Sequence, residues 1–278
     1  AASEGEPTPA WETLSEDRRA DMARRMAIYA AMVDSMDQNI GRIIRDLEDR
    51  GELKDTLIVF TSDNGACAEW DPFGFDGKSG PRNVLHRGDA IQRMGGPGTF
   101  HSVGSGWAGA SNTPWRMYKH YNHEGGIAVP CIIRPAGATD LAGKIDATPT
   151  HLIDVLPTFL DAAGIDDIVG RLPGRSLQSL VKGNDFPPRQ LFFEHEGNRA
   201  VRDGNWKLVA LRDQAWELYD MQTDRTESNN MIKQHPDIAE RLSAAWERWA
   251  SQNQVTPLPD DYEVEYLPIS KNVDGVGD

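Results

Sequence analysis

Cysteine is scarce in this sequence, with only Cys67 and Cys131 among 278 residues. Two cysteines are too few for a disulfide framework, and neither stands in a C-x-x-C pair that could hold zinc. The cysteines therefore do not indicate whether the protein works in an oxidising or a reducing compartment.

Long apolar runs are also lacking. The longest candidate, residues 127–133, is seven residues and already contains a proline, whereas a membrane span needs about 20. The chain opens on Ala1 and a polar stretch without a visible signal peptide. We therefore predict no membrane span.

Basic residues are in the minority, with 29 Lys and Arg against 43 Asp and Glu and a formal net charge of −14. An acidic surface argues against nucleic acid or an anionic membrane as a partner. The excess of acid is also explained by solubility alone. Length and ordinary hydrophobic content allow one large domain or two smaller ones.

The first elements indicate an α/β fold. Apolar residues in steps of three and four predict one amphipathic helix over residues 15–50, with Ser15 as N-cap and Gly51 as its end. The apolar run 57–60 follows, and runs of this kind are typical of buried parallel strands. The stripe of the helix comprises Met22, Met26, Tyr29, Val33, Met36, Ile40, Ile43 and Leu47.

Residues 65–115 hold eleven glycines and little periodicity, which predicts a long functional loop. Its aromatic side chains are expected either to shape a substrate pocket or to pack the loop onto the body, and the pattern does not choose between these. They include Trp70, Phe73, Phe75, Phe100 and Trp107.

The rest of the chain changes character near residue 185. A second strand over 127–133 and a helix opening at Thr148 complete a first domain, residues 1–185. Four short strands over 191–194, 198–202, 206–212 and 215–220, then a helix from Pro236, predict an antiparallel domain over 186–278.

Asp63 and Asn64 follow the strand 57–60 directly, where open α/β sheets bind ligands. A carboxylate beside an amide oxygen suits Ca²⁺ or Mg²⁺ better than zinc. Taken alone, the tripeptide with Gly65 is more often a plain Asx turn.

Lys119 precedes His120 and His123 in a second polar segment. A lysine here could neutralise an anionic group of a substrate, although a single lysine is usually a solvated surface charge. The two histidines have H-x-x-H spacing, but no third ligand pattern supports zinc.

Together these segments resemble the sulfatase family of the alkaline-phosphatase superfamily. The resemblance rests on the order of Leu57–Gly65, Tyr118–Lys119, His123–Pro130, His151–Thr158, Glu194–Arg202, Asn205–Val209 and Glu217–Asp220. It implies an alkaline-phosphatase-like α/β/α sandwich, partial here, followed by a small α+β domain with a four-stranded antiparallel sheet and a C-terminal helix.

The resemblance also implies roles. Asp63 and Asn64 match a metal-ligand pair that usually holds Ca²⁺, with Mg²⁺ possible, and Lys119 matches a catalytic lysine that contacts the sulfate and its bridging oxygen. His123, His195 and Trp107 are expected to bind substrate, and Glu194 and Arg199 to reach the same cleft. The expected substrate is a sulfated small molecule or carbohydrate, in a periplasmic or secreted protein.

The family's nucleophile is a formylglycine made from Cys/Ser-x-Pro-x-Arg, and this sequence lacks the motif. Cys67 and Cys131 do not fit it, and Ser79-Gly-Pro81-Arg82 has its arginine one place early. The chain is therefore expected to be the C-terminal portion of a sulfatase, inactive alone. Alternatives are a phosphonate or phosphate monoester hydrolase, or a non-catalytic fragment that binds sulfated ligands or a partner chain.

Overall fold

The computed structural model describes residues 8–68, 72–77, 83–137, 142–165 and 172–257 and has an α/β architecture, as predicted. Two compact units interleave along the chain. The first comprises the described residues up to Met36, Asn64–Ala128 and Phe192 onward, and the second comprises Asp37–Asp63 and Val129–Leu191. The division into domains over residues 1–185 and 186–278 stays a prediction. None of the described helices is long and apolar enough to span a bilayer.

Helix α1 spans Glu16–Asp49, as predicted. Ser15 Oγ accepts a hydrogen bond from Arg18 N at 3.2 Å, and Gly51 has a φ of +71°. The predicted apolar stripe is largely exposed in this structure. Met22 is buried, whereas large apolar side chains of the same stripe are exposed, namely Tyr29, Val33, Met36 and Ile43. Periodicity establishes that the helix has an apolar face but not that this chain covers it.

The beginning of α1 is anchored by a fully buried arginine. Arg25 donates to Asp21 Oδ2 at 2.9 Å and to Asp76 Oδ2 at 2.7 Å. Its guanidinium also donates to the carbonyls of Phe75, Ser102 and Val84. Five acceptors on one planar donor group bind the segment 75–102 to α1, since a buried guanidinium has to be fully satisfied.

The stretch expected to be one long loop contains two helices, α2 over Asp89–Arg93 and α3 over Gly104–Ser111. Its aromatic residues divide between packing and exposure. Phe73 is buried beneath the Arg18 guanidinium, 4.2 Å from its ring centroid, whereas Phe100 is half exposed. Trp70 lies outside the described residues. The glycine content hid α3 from sequence analysis because glycine is a poor helix former.

The C-terminal sheet has the order β3-β4-β5-β6, from strands Gln190–His195, Asn198–Asp203, Trp206–Ala210 and Glu217–Asp220. The four predicted strands are thus confirmed. Helix α7, Pro236–Gln252, packs on one face through Leu242 and Trp246, which contact Val201, Leu208 and Leu218. The alternate residues Ala200, Val209 and Tyr219 form a cluster on the other face.

In the second unit, strands β1 (Ile58–Thr61) and β2 (Cys131–Arg134) pair antiparallel, with Val59 opposite Ile133. The expectation of buried parallel strands is wrong in this structure, where β1 is half-buried and Ile132 is 63% exposed. A short apolar run is compatible with either strand direction, so the sequence could not distinguish them.

The same unit contains α5, Val155–Ala162, and α6, Gln178–Val181. Asp154, before α5, is fully buried and accepts hydrogen bonds from His151 N and Arg175 N, both at 2.9 Å. Arg189 pairs with the same carboxylate. The His151–Thr158 motif is therefore a helix start stabilised by a buried acid.

In the first unit, α4 is the short helix Glu124–Ile127.

Candidate active site around Lys119

Asp63 and Asn64 follow β1 immediately. The Asn64 side chain donates from Nδ2 to the Gly65 carbonyl at 2.8 Å, which fixes the orientation of the amide. A carboxylate oxygen and an amide oxygen on consecutive residues are hard ligands that suit calcium or magnesium. The chemistry of this donor pair fits the expected cation.

The chain after Asn64 contacts the Glu-Gly-Gly segment through backbone alone. Gly65 N donates to the Gly126 carbonyl at 2.9 Å. A Cβ atom on Gly65 would lie 1.7 Å from the Gly125 carbonyl oxygen, closer than any real contact. Glycine is required here because two backbone segments meet without space for a side chain.

Asn112 holds this contact together. Its Oδ1 accepts from Ala66 N at 2.9 Å, and its Nδ2 donates to the carbonyls of Met117 and Gly125 at 3.0 and 2.8 Å. One side chain therefore satisfies three backbone groups on two segments. Sequence analysis did not single out Asn112, since an asparagine before Thr-Pro reads as a turn residue.

Lys119 lies beside the segment that follows Asn64. Its backbone N donates to the Ala66 carbonyl at 2.9 Å, and its Nζ lies 4.0 Å from Cys67 Sγ. The side chain is half-buried. The structure thus places the Lys119 segment against Ala66 and Cys67, which follow Asn64 in the chain, and the joint site of Asn64 and Lys119 stays a prediction.

Glu124 anchors the Lys119 segment to the C-terminal sheet. Its buried carboxylate accepts from Lys207 Nζ at 3.0 Å and from Arg225 at 3.2 Å. Glu227 accepts from Glu124 N at 2.8 Å and pairs with the same Lys207 ammonium. Burial alone would raise the pKa of Glu124, but the charges of Lys207 and Arg202 outweigh it and the pKa is lowered.

His123 belongs to this structural network. Its side chain is fully buried, and Nε2 lies 3.1 Å from Glu217 Oε2. The hydrogen bond with His123 is the largest cause that lowers the pKa of Glu217 to about 2; Tyr219 and Arg116 add to it, while burial opposes it. A buried imidazole held by a carboxylate argues against the substrate contact that we predicted for His123.

His195 and Trp107 have different surroundings. His195 ends β3, is 48% exposed, and stacks on His120 with ring centroids 5.3 Å apart. Trp107 instead donates from Nε1 to the Met22 carbonyl at 3.0 Å and packs edge-on against Trp11. His195 therefore contacts His120, the residue after Lys119, whereas the indole of Trp107 packs on α1.

The fold is the α/β type found in the alkaline-phosphatase superfamily, and the chain belongs to the sulfatase family. The family model described as Sulfatase matches residues 3–165. A second model, N-sulphoglucosamine sulphohydrolase, C-terminal, matches residues 114–252. The two matches together cover both the Lys119 segment and the C-terminal sheet.

Several known proteins are similar. An uncharacterized sulfatase of Schizosaccharomyces pombe is 32% identical over 98% of this chain and 51% of its own length. An arylsulfatase of Klebsiella aerogenes is 38% identical over 56% of this chain and 33% of its own. A protein solved in complex with its substrate D-glucosamine-2-N,6-O-disulfate superposes with a TM-score of 0.52 at 25% identity, over 84% of this chain and 42% of that protein. The chain thus spans about half or less of these relatives.

Replacing Gly65 should be costly. We predict that Gly65→Ala lowers the free energy of unfolding by about 3 kcal/mol or more, because the new methyl group overlaps the Gly125 carbonyl. Gly109→Ala is the matched control, since its Cβ would meet nothing within 4 Å and helix α3 should gain about 0.5–1 kcal/mol. Urea unfolding measures both; equal stabilities for the two variants would contradict the close contact.

Glu217 should stabilise the fold in a pH-dependent way. Its pKa falls from 4.5 to about 2 on folding, so its contribution is complete above pH 4.5 and is lost as the pH falls toward 2. Glu217→Gln should cost on the order of 1–2 kcal/mol at pH 7, with allowance for the partial exposure of the group.

Denaturant unfolding of wild type and Glu217→Gln between pH 7 and pH 3 measures this effect. The difference between the two proteins should shrink through the acid range. Glu247→Gln, at an exposed position of α7, provides the control and should show no such trend. A difference for Glu217→Gln that stays constant with pH would show that its charge is not responsible.

Proposed function

We propose that this chain supplies the leaving-group side of a sulfate ester hydrolase, in which R–O–SO₃⁻ and water give an alcohol and hydrogen sulfate. The observation that carries the proposal is the placement of Lys119, whose backbone is hydrogen-bonded to Ala66, two residues after Asn64. Membership of the sulfatase family supports the class of reaction.

Lys119 acts on the bridging oxygen. As the S–O bond breaks, the electron pair stays on the oxygen of the departing alcohol, where negative charge accumulates. An ammonium group held in place stabilises this charge and costs little reorganisation when the reaction occurs. The backbone hydrogen bond from Lys119 to Ala66 and the ion pair between Glu124 and Lys207 keep the Lys119 segment in position.

Asp63 and Asn64 bind the divalent cation, Ca²⁺ or Mg²⁺. When bound, this ion draws charge from the sulfate oxygens. The role of the chain is to present one charged and one neutral oxygen ligand, with the amide oriented by its bond to the Gly65 carbonyl. Further acidic ligands are expected from outside this chain, as is the formylglycine nucleophile, whose motif the sequence lacks.

The substrate is a sulfated small molecule or carbohydrate. One similar protein has been solved with a sulfated glucosamine, and another is named an arylsulfatase. The half-exposed ring of His195 offers a polar surface for the alcohol part of such a substrate.

The leaving-group role of Lys119 predicts a graded kinetic effect. In a full-length sulfatase that contains this chain, Lys119→Ala should lower kcat/KM about 10²-fold or more for an alkyl sulfate, whose leaving group is poor. The loss should be much smaller for a nitrophenyl sulfate, because that alcohol departs without assistance. Lys233→Ala, an exposed lysine, is the control. Equal losses in kcat/KM for good and poor leaving groups would show that Lys119 does not stabilise the bridging oxygen.

The metal role of Asp63 predicts a stability effect that does not depend on activity. A cation that binds only the folded state raises Tm, so added Ca²⁺ should stabilise the full-length protein. Asp63→Ala should abolish the shift, and Asn64→Ala should reduce it less, since an amide is not charged. Asp55→Ala removes an exposed carboxylate nearby in sequence and should keep the full shift. If added Ca²⁺ still raised the Tm of Asp63→Ala by the same amount, Asp63 would not be a calcium ligand and the motif would be a plain Asx turn.

A further inference from the structure

Three potential metal ligands meet beside Lys119, and the proposed sulfatase site does not require them as a metal centre. His120 follows the lysine, His195 ends β3, and Glu196 lies in the turn between β3 and β4. We call these three side chains the His120 cluster. Their ligand atoms all lie within 4.8 Å of one another.

The cluster has the dimensions of a tetrahedral metal site. His120 Nδ1 lies 3.1 Å from His195 Nε2 and 3.5 Å from Glu196 Oε2, and the third side of the triangle is 3.8 Å. A tetrahedral zinc ion with bonds of about 2.0–2.1 Å separates its ligand atoms by about 3.3 Å. The ligand atoms therefore need only small shifts to surround one ion.

The charge of the cluster also favours a cation. As metal ligands, two neutral imidazoles and one carboxylate would carry a single negative charge and present nitrogen and oxygen lone pairs to a common point. A second histidine–carboxylate group is formed by Asp76, His86 and His101. Its carboxylate is already paired with the buried Arg25, so that group is a neutralised network and needs no ion.

The backbone holds the cluster in a defined geometry. His120 has a φ of +84° and Glu196 a φ of +50°, conformations that non-glycine residues rarely adopt. The buried Asn198 donates from Nδ2 to the His120 carbonyl at 3.0 Å, which ties the lysine segment to β4 next to Glu196. Ligands arrive from two chain segments that are already joined, so little ordering is needed on binding.

The ligand set selects the kind of metal. Imidazole nitrogen is a preferred ligand of zinc and similar transition metals and a poor ligand of calcium. His195 is 48% exposed and Glu196 25%, whereas His120 is nearly buried at 14%. Three protein ligands at such a surface leave a coordination position for water or an anionic group, as in catalytic zinc sites.

We propose that His120, His195 and Glu196 bind one zinc-class divalent ion with one coordination position open to solvent. This site is separate from the oxygen ligands Asp63 and Asn64. A bound ion would add a second positive charge beside His120, the residue that follows Lys119. It would lie where the lysine segment meets the β3–β4 turn.

Zinc and cobalt titrations of the untagged, metal-depleted 278-residue chain test the proposal. We expect one Zn²⁺ per chain by calorimetry, with micromolar or tighter affinity, and visible absorption of four-coordinate Co²⁺. His195→Gln and Glu196→Gln should each weaken zinc binding at least tenfold. His235→Gln is the matched control, because its ring packs on Trp206, away from the cluster, and it should bind as wild type.

Circular dichroism verifies that each variant is folded before titration, and His120→Gln provides a further ligand variant. Absence of zinc binding to folded wild type below millimolar concentration, or unchanged binding in both His195→Gln and Glu196→Gln, overturns the proposal. The titrations use no substrate and no calcium. Their outcome is therefore independent of whether Lys119 and Asp63 act as proposed for sulfate ester hydrolysis.

Discussion

The geometry around Lys119 depends on the ion pairs made by the buried ammonium group of Lys207. It lies between the carboxylates of Glu124 and Glu227, 3.0 and 2.8 Å away, with no exposure to solvent. Removing one partner of a buried ion group leaves an uncompensated charge and costs about 3–5 kcal/mol. The sheet strand β5 thereby fixes the start of α4, and with it the two glycines that Gly65 contacts.

Charge compensation of this kind is repeated elsewhere in the first unit. Arg25 forms ion pairs with Asp21 and Asp76 at the start of α1. Glu217 interacts with His123, Tyr219 and Arg116. These groups are buried or half-buried polar networks with specified partners, so they favour one arrangement of segments distant in sequence. Arg25, Arg116 and Lys207 each join segments distant in the chain.

Local patterns in the sequence predicted the elements well. The periodicity of α1, its caps at Ser15 and Gly51, and the alternation of the four C-terminal strands all reflect short-range physical rules. The sequence did not reveal that His123 would be buried or that Asn112 would join two segments. Those roles depend on partners about 90 residues away or on backbone groups, which no local pattern encodes. The pairing of β1 with β2 was missed for the same reason.

The glycine contact has a consequence for how this family can vary. Gly65, Gly125 and Gly126 meet through main-chain atoms, and each would overlap a backbone oxygen if it carried a methyl group. This contact is therefore built of peptide groups that leave no space for a side chain at any of the three positions. Sequence variation has to act instead on the solvent-exposed rim of this unit, which includes the side chains of His195 and Phe100. Directed evolution libraries are best confined to that rim.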